Sequence, residues 1–155
     1  MRKHIITLVR LGSLVAVLEM STPAQAEMGR NSIGPSISTG GGSSVTVGID
    51  SKFGISDNIS VRPFVYFPSG GINIGSALTY DFHIMTKDGL PISPFIGGSI
   101  SATTGGNNSN TAFGLTGGAD FPISDSFGLK AALNIPLTSG SSQKGGINIG
   151  AGFSF

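Results

Sequence analysis

Apolar side chains alternate with small or polar ones along most of the chain after residue 32. Between Val45 and Ile55, every second position is Val, Ile, Ser or Phe, and Thr, Gly, Asp and Lys stand between them. A period of two is the pattern of a β-strand with two different faces, whereas a helix would repeat every 3.6 residues. The same alternation predicts eight strands, at 33–39, 45–55, 59–67, 72–84, 92–100, 113–123, 127–137 and 148–155.

Two kinds of turn alternate between these strands. Short Asp-centred turns stand at 56–58, 87–89 and 124–126, and looser Gly-, Ser- and Asn-rich loops stand at 40–42, 68–71, 105–110 and 138–145. An even number of strands joined in this way can close as an antiparallel barrel, with tight turns on one rim and looser loops on the other. The pattern predicts an all-β fold, an eight-stranded antiparallel up-and-down transmembrane β-barrel.

An internal repeat supports the strand count. Residues 55–62 recur in similar form at 123–130, and the segment Gly-Gly-Ile-Asn-Ile-Gly occurs at both 70–75 and 145–150. Four strands therefore align with four strands. This predicts a pseudo-twofold arrangement in which matched strands lie across the barrel from one another.

The face opposite the apolar one is poor in charge. Charged residues make up 11% of the chain, whereas about 25% is usual in a soluble domain. Because isolated charges in a confined space are costly, we expect those on this face to be paired across a narrow lumen, with His83 hydrogen-bonded to Asp81. If the 124–126 turn is symmetric, Asp120 lies directly opposite Lys130. Lys52 likewise faces Arg62, so we expect Asp50 or Asp81 to bridge these two bases. The predicted lumen network is Asp50, Lys52, Arg62, Asp81, His83, Asp120 and Lys130.

The apolar face carries an aromatic band near the rim with the tight turns. Its members are Phe53, Tyr80, Phe82, Phe121, Phe127, Phe153 and Phe155. Aromatic residues gathered at one depth are typical of a membrane interface. The pattern thus favours an apolar face towards lipid. The alternative is a soluble, exported, lipocalin-like binding barrel with its apolar face inward.

The amino-terminal segment has the features of a signal peptide. A basic start at Arg2 and Lys3 precedes an apolar run at 11–18, and Ala24-Gln25-Ala26 offers a small-x-small cleavage site. These features predict a cleaved signal peptide at 1–26 and a barrel domain at 27–155.

The last strand resembles the carboxy-terminal assembly signal of bacterial outer-membrane barrels. The positions that carry the resemblance are Asn148, Gly150, Phe153 and Phe155. With the strand count and the turns, the chain resembles the small eight-stranded outer-membrane barrels of the opacity and attachment–invasion group. This resemblance implies the outer membrane of a Gram-negative-type bacterium, contact with its lipid, and recognition by periplasmic chaperones and the barrel-assembly machinery. The long external loops of adhesive members are missing.

Candidate chemistry is sparse. The chain has no cysteine, and His83 is the only histidine after the expected cleavage site. The sequence therefore offers no convergent set of residues for a metal site or a catalytic triad. We expect no enzyme activity, no metal, no cofactor and, because there is no basic patch, no nucleic-acid partner. The expected function is that of a small integral outer-membrane barrel with a structural or surface-interaction role, and a narrow passive pore is the alternative.

Overall fold

A computed structural model describes residues 31–40, 44–105, 108–138 and 145–155. The predicted signal peptide at 1–26 lies outside the described residues, as do 41–43, 106–107 and 139–144 within the predicted loops. No helix in the described part of the chain is long and apolar enough to cross a membrane. The strands are β1 (Ser32–Gly40), β2 (Ser44–Ser56), β3 (Ile59–Phe67), β4 (Ile72–Asp81), β5 (Ile84–Met85), β6 (Pro91–Gly105), β7 (Asn108–Pro122), β8 (Phe127–Pro136) and β9 (Gly146–Ser154).

Eight long strands close into an antiparallel barrel. Each pairs with its neighbour in the chain, β4 pairs with β6, and β9 returns to pair with β1. The two-residue strand β5 pairs only with the beginning of β6 and adds a small hairpin at one rim. The predicted fold, an eight-stranded up-and-down barrel, is confirmed.

Three strand boundaries differ by three residues or more from those predicted. β4 ends at Asp81 instead of continuing to Ile84. The amide of Phe82 still donates to the carbonyl of Pro94 in the register of the β4–β6 pairing, but Pro94 has no amide hydrogen to donate in return. The β6–β7 hairpin extends further towards its loop than predicted. The added pairing runs from the Ser101–Ala112 pair to the Gly105–Asn108 pair. Its added residues are mostly small and polar, so they carry no apolar alternation from which the strands could be predicted.

The apolar face points outward. Val47 is 58% exposed, Ile149 is 53% exposed and Leu133 is 49% exposed. On the same strands the alternate positions are buried, as at Asp50 and Asn148. A continuous exposed apolar surface of this kind is typical of contact with lipid. The lipocalin-like alternative, with the apolar face inward, is therefore wrong.

The aromatic band lies at the rim with the tight turns, and three ring pairs join six of its seven members. The rings of Tyr80 and Phe82 lie 5.0 Å apart, and those of Phe127 and Phe153 lie 5.7 Å apart. Phe53 differs from the other members because it is only 7% exposed, and its ring lies edge-on to that of Phe155.

We expect Leu133→Arg to destabilise the barrel by about 2–4 kcal/mol, the cost of a cation near the midplane of a bilayer. Leu133 lies within β8 on the exposed apolar face. The neighbouring inward change Asn134→Ser, which keeps a polar side chain in the lumen, should have little effect. Refolding titrations into lipid bilayers measure both variants, and equal tolerance at the two positions would contradict the assignment of the faces.

Candidate functional site

Six charged side chains meet inside the barrel in one layer near the tight-turn rim. They are three acids and three bases, contributed by five strands: Asp50 and Lys52 from β2, Arg62 from β3, Asp81 from β4, Asp120 from β7 and Lys130 from β8. We call this set the charged layer. The strand alternation explains it, because all six occupy the inward face.

Arg62 is the centre of the charged layer. Its guanidinium group binds Asp120 through two nitrogens, with Nη2 2.8 Å from Oδ2 and Nη1 3.1 Å from Oδ1. Nη2 also lies 3.1 Å from Oδ1 of Asp81. One face of the group covers the ring of Phe95, with Cζ 3.7 Å from the ring centroid. Arg62 is therefore held by two carboxylates and a cation–π contact, a geometry that suits a planar guanidinium.

Lys52 binds the same two carboxylates as Arg62. Its Nζ atom lies 2.8 Å from Asp81 and 3.1 Å from Asp120. Asp81 also accepts hydrogen bonds from the hydroxyls of Ser60 at 2.6 Å and Thr79 at 2.9 Å. Both acceptor oxygens of Asp81 are thus occupied, which compensates for its burial at 2% exposure.

The second half of the charged layer is an ion pair across the bore between Lys130 on β8 and Asp50 on β2. The hydroxyl of Tyr66 lies 3.4 Å from Oδ2 of Asp50 and 3.4 Å from the hydroxyl of Ser36. These contacts connect the charged layer to the part of the lumen nearer the looser loops.

The pairing inside the charged layer is not the one expected from neighbouring strands. Asp120 and Lys130 are directly opposite in the β7–β8 register, as predicted. Lys130 nevertheless reaches across the bore to Asp50, while Asp120 reaches across to Lys52 and Arg62. Of the two aspartates predicted to bridge Lys52 and Arg62, Asp81 does so, whereas Asp50 binds Lys130 instead. Asp120 is a second bridge that was not predicted.

His83 lies apart from the charged layer, and the predicted hydrogen bond to Asp81 is wrong. β4 ends at Asp81, so His83 stands at the rim, where it is exposed. Its Nε2 atom lies 2.8 Å from the carbonyl oxygen of Asp57, and its Nδ1 atom lies 3.4 Å from the hydroxyl of Ser93. In this position it ties the end of β4 to the β2–β3 turn.

Sequence reasoning missed four uncharged members of the site, Ser60, Thr79, Tyr66 and Phe95. Ser60 and Thr79 are 2% and 1% exposed, and Phe95 is 4% exposed beneath Arg62. Their places on the inward face were available from the alternation. The roles of Ser60 and Thr79 were not, because many other small residues share that face.

The charged layer separates two cavities. The upper one, of about 610 Å³, is open at the loop end and is lined mainly by Ser, Thr, Asn and Gly. The lower one, of about 210 Å³, is lined by members of the charged layer together with His83 and Ser93. Within the described residues, no group of three or more His, Asp or Glu side chains is placed to hold a metal ion.

The four predicted assembly-signal residues divide between the two faces of β9. Asn148 and Gly150 face the lumen, where a side chain on Gly150 would lie 3.1 Å from Cβ of Ser36 and 3.4 Å from Asp50. Phe153 and Phe155 are 58% and 57% exposed. The amide of Phe155 donates to the carbonyl of Asn31, which fastens the end of β9 near the start of β1.

Solved structures share this fold. A de novo designed transmembrane β-barrel matches with a TM-score of 0.61 and 13% identity, covering 83% of this chain and 98% of the design. Neisserial surface protein A matches with a TM-score of 0.57 and 16% identity, covering 81% and 96%. The outer-membrane protein Ail of Yersinia pestis, in a phospholipid bilayer nanodisc, matches with a TM-score of 0.52 and 11% identity, covering 82% and 99%.

The chain has the fold of the small outer-membrane barrels. This agrees with the resemblance stated from the sequence. No family model and no curated protein sequence matches the chain.

We expect Arg62→Ala to destabilise the barrel by about 3–5 kcal/mol, because it leaves buried carboxylates without their main partner. Lys87→Ala, at an exposed turn, removes the same charge and should change stability by less than about 0.5 kcal/mol. Urea titrations of the refolded protein measure both variants.

A double-mutant cycle tests whether the effect belongs to the pair. Arg62→Ala with Asp120→Ala should cost less than the two single changes together, since contacting charges are coupled by about 0.5–3 kcal/mol. Strict additivity would show that the two groups do not act as a pair.

Proposed function

We propose that this chain is a small integral barrel of the outer membrane of a Gram-negative-type bacterium, with a structural or surface-interaction role and a lumen closed by the charged layer. The observation that carries the proposal is the cross-bore pairing of six charges with the Phe95 ring at one depth. The bore of an eight-stranded barrel is just wide enough for side chains to fill it or for one small ligand to occupy it. A paired, buried layer in so narrow a bore therefore acts as a plug.

The surroundings of the plug agree with a structural role. The exposed apolar belt matches the hydrocarbon of a bilayer, and the aromatic band matches its interface. The tight turns would face the periplasm and the looser loops the exterior. We further propose that residues 1–26 are a signal peptide that is removed on export.

The proposal includes no enzyme activity. His83 is exposed at the rim, where one ring nitrogen lies 3.4 Å from the hydroxyl of Ser93 and the other binds the backbone carbonyl of Asp57. A carboxylate therefore does not orient the ring, as it does in a Ser–His–Asp triad. The aspartates of the charged layer are occupied by Lys and Arg, so they are unsuited to general acid–base work.

A narrow passive pore is the second candidate. It is favoured by the two cavities, which approach each other from opposite ends of the bore with only the charged layer and its neighbours between them. Movement of the Asp50–Lys130 pair would join them. The two functions differ in conductance.

Planar-bilayer conductance of the refolded protein tests the plug. Wild-type protein should show little steady conductance. Asp50→Ala combined with Lys130→Ala removes one ion pair as a neutral unit, leaves no lone charge from that pair, and should raise conductance. Lys87→Ala with Asp88→Ala is the matched control, because it removes one base and one acid from an exposed turn outside the bore. A large, stable wild-type conductance would favour the pore.

We also propose that β9 is the strand recognised by periplasmic chaperones and the barrel-assembly machinery. Its outward aromatic residues Phe153 and Phe155 stand at the rim beside the β1–β9 seam. Asn148 and Gly150 occupy the opposite side of the same strand, which faces the lumen.

Deleting Phe155 should lower the amount of folded protein in the outer membrane of cells. Phe113→Ala, which removes an exposed aromatic ring outside the band, is the control. Refolding of both variants into lipid vesicles without any machinery separates recognition from stability. Recognition predicts a loss in cells that is larger than the loss in vesicles, and unchanged assembly in cells would contradict the motif.

A further inference from the structure

The upper lumen is a cavity of about 610 Å³, which we call the upper cup. All eight long strands contribute to its wall, mainly through hydroxyl, amide and glycine positions. The rings of Phe64 and Tyr66 lie 5.5 Å apart at its inner end, because the Tyr66 hydroxyl contacts Asp50 of the charged layer. None of its described lining residues carries a charge.

Two of the four asparagines in the described lining of the upper cup have a side-chain oxygen without a partner. Asn73 and Asn148 occupy the same position in the two copies of the repeat, on β4 and β9. Both side chains line the cup, and the Oδ1 atom of each is buried without a hydrogen-bond partner. A buried polar atom without a partner is destabilising, so such an atom in a native protein calls for an explanation. Because these two atoms stand at equivalent positions in one cavity, a single explanation should account for both.

The amide groups can turn to meet a ligand. The terminal torsion of asparagine is broad, so a small rotation presents either the oxygen or the NH₂ group to the cavity. Each asparagine then offers both an acceptor and a donor. The ligand that satisfies them needs groups that can donate and accept, as hydroxyl groups do.

We propose that the upper cup binds a small neutral polyhydroxylated molecule, of the size of a mono- or disaccharide. Its volume lies within the range of about 300–1,000 Å³ usual for small-molecule sites. The aromatic rings offer an apolar platform for the carbon face of such a molecule, while the amides and hydroxyls meet its edge. A charged ligand is disfavoured because the described lining offers no ionic partner.

The site is independent of the proposed plug. The upper cup lies above the charged layer and opens at the loop end, so a ligand reaches it whether or not the lumen conducts. A conductance result against the closed lumen therefore leaves this proposal standing, and a failed binding experiment leaves the plug standing.

The test is a titration followed by NMR. The protein, with labelled asparagine amides, is placed in phosphatidylcholine nanodiscs, which avoid detergents with sugar headgroups. Glucose, maltose and the anionic analogue glucuronate are the probes. We expect saturable shifts of the Asn73 and Asn148 side-chain signals with glucose and maltose, and weaker binding of glucuronate.

Two variants and one control assign the site. Asn73→Leu and Asn148→Leu keep the side-chain size and should each weaken binding roughly three- to tenfold, as expected for one hydrogen bond between neutral groups. Ser76→Ala, on the outward face of β4, should bind as the wild type does. The wild-type titration is decisive even if a leucine variant does not fold.

No saturable shift with glucose or maltose would overturn the proposal. Binding of glucuronate as tight as that of glucose would overturn the neutral ligand class, and unchanged binding in both leucine variants would overturn the assignment to the asparagines.

Discussion

Closure of the backbone ladder between β1 and β9 is the constraint on which the rest of this structure depends. In lipid, no water is present to bond free amides and carbonyls, so a spanning sheet has to pair its two edges. The seam runs from the Ser32–Ser154 pair to the Gly40–Gly146 pair and is interrupted at Gly34 and Pro35, where proline has no amide hydrogen to donate. Gly34 permits the close approach within it, since a Cβ atom there would lie 1.8 Å from the carbonyl oxygen of Ala151.

A closed ladder with an apolar exterior leaves only the lumen for specific packing. Here that packing is polar and uneven. Arg62, Tyr66 and Phe95 are large side chains buried at 4–5% exposure, while Gly150 opposite them leaves room for Asp50. Large and small inward residues thus complement each other, as in a soluble core. The cohesion comes from ion pairs and hydrogen bonds instead of apolar burial.

The sequence was sufficient to predict the barrel because its determining signals are local. Period-two alternation, Asp-centred turns and the repeat all lie within short segments, and they indicated the strand number and the outward face. The boundaries of β6 and β7 failed because the residues nearest the loop of that hairpin carry no apolar alternation. The end of β4 failed for the opposite reason, because the apolar alternation continues past the residue at which the strand ends.

The inward set of charges was also predictable, whereas the partners of each charge were not. Register predicts neighbours along the wall, so Asp120 was placed opposite Lys130 correctly. In a narrow bore, ion pairs also form between strands that are not neighbours. The distances between such side chains depend on barrel diameter, shear and side-chain length together. The same limit explains His83, whose position follows from the point at which β4 leaves the wall.

The difference in charge between the two halves of the repeat explains why ion-pair partners are exchanged across the bore. In the second half of the chain Asp120 stands opposite Lys130, a pair that could have neutralised itself locally. In the first half, the register of Asp50 with Phe64 and of Phe53 with Val61 places Lys52 opposite Arg62, two like charges. Asp120 therefore has more to gain from Lys52 and Arg62, and Lys130 is left to bind Asp50.

Each of these bonds joins β2 or β3 to β7 or β8. Arg62 binds Asp81 and Asp120 at the same time. Arginine suits this position better than lysine would, because a planar guanidinium group can hold two carboxylates at once. Because the two halves of the repeat differ in the placement of their charges, their ion pairs form one layer that connects opposite walls of the barrel.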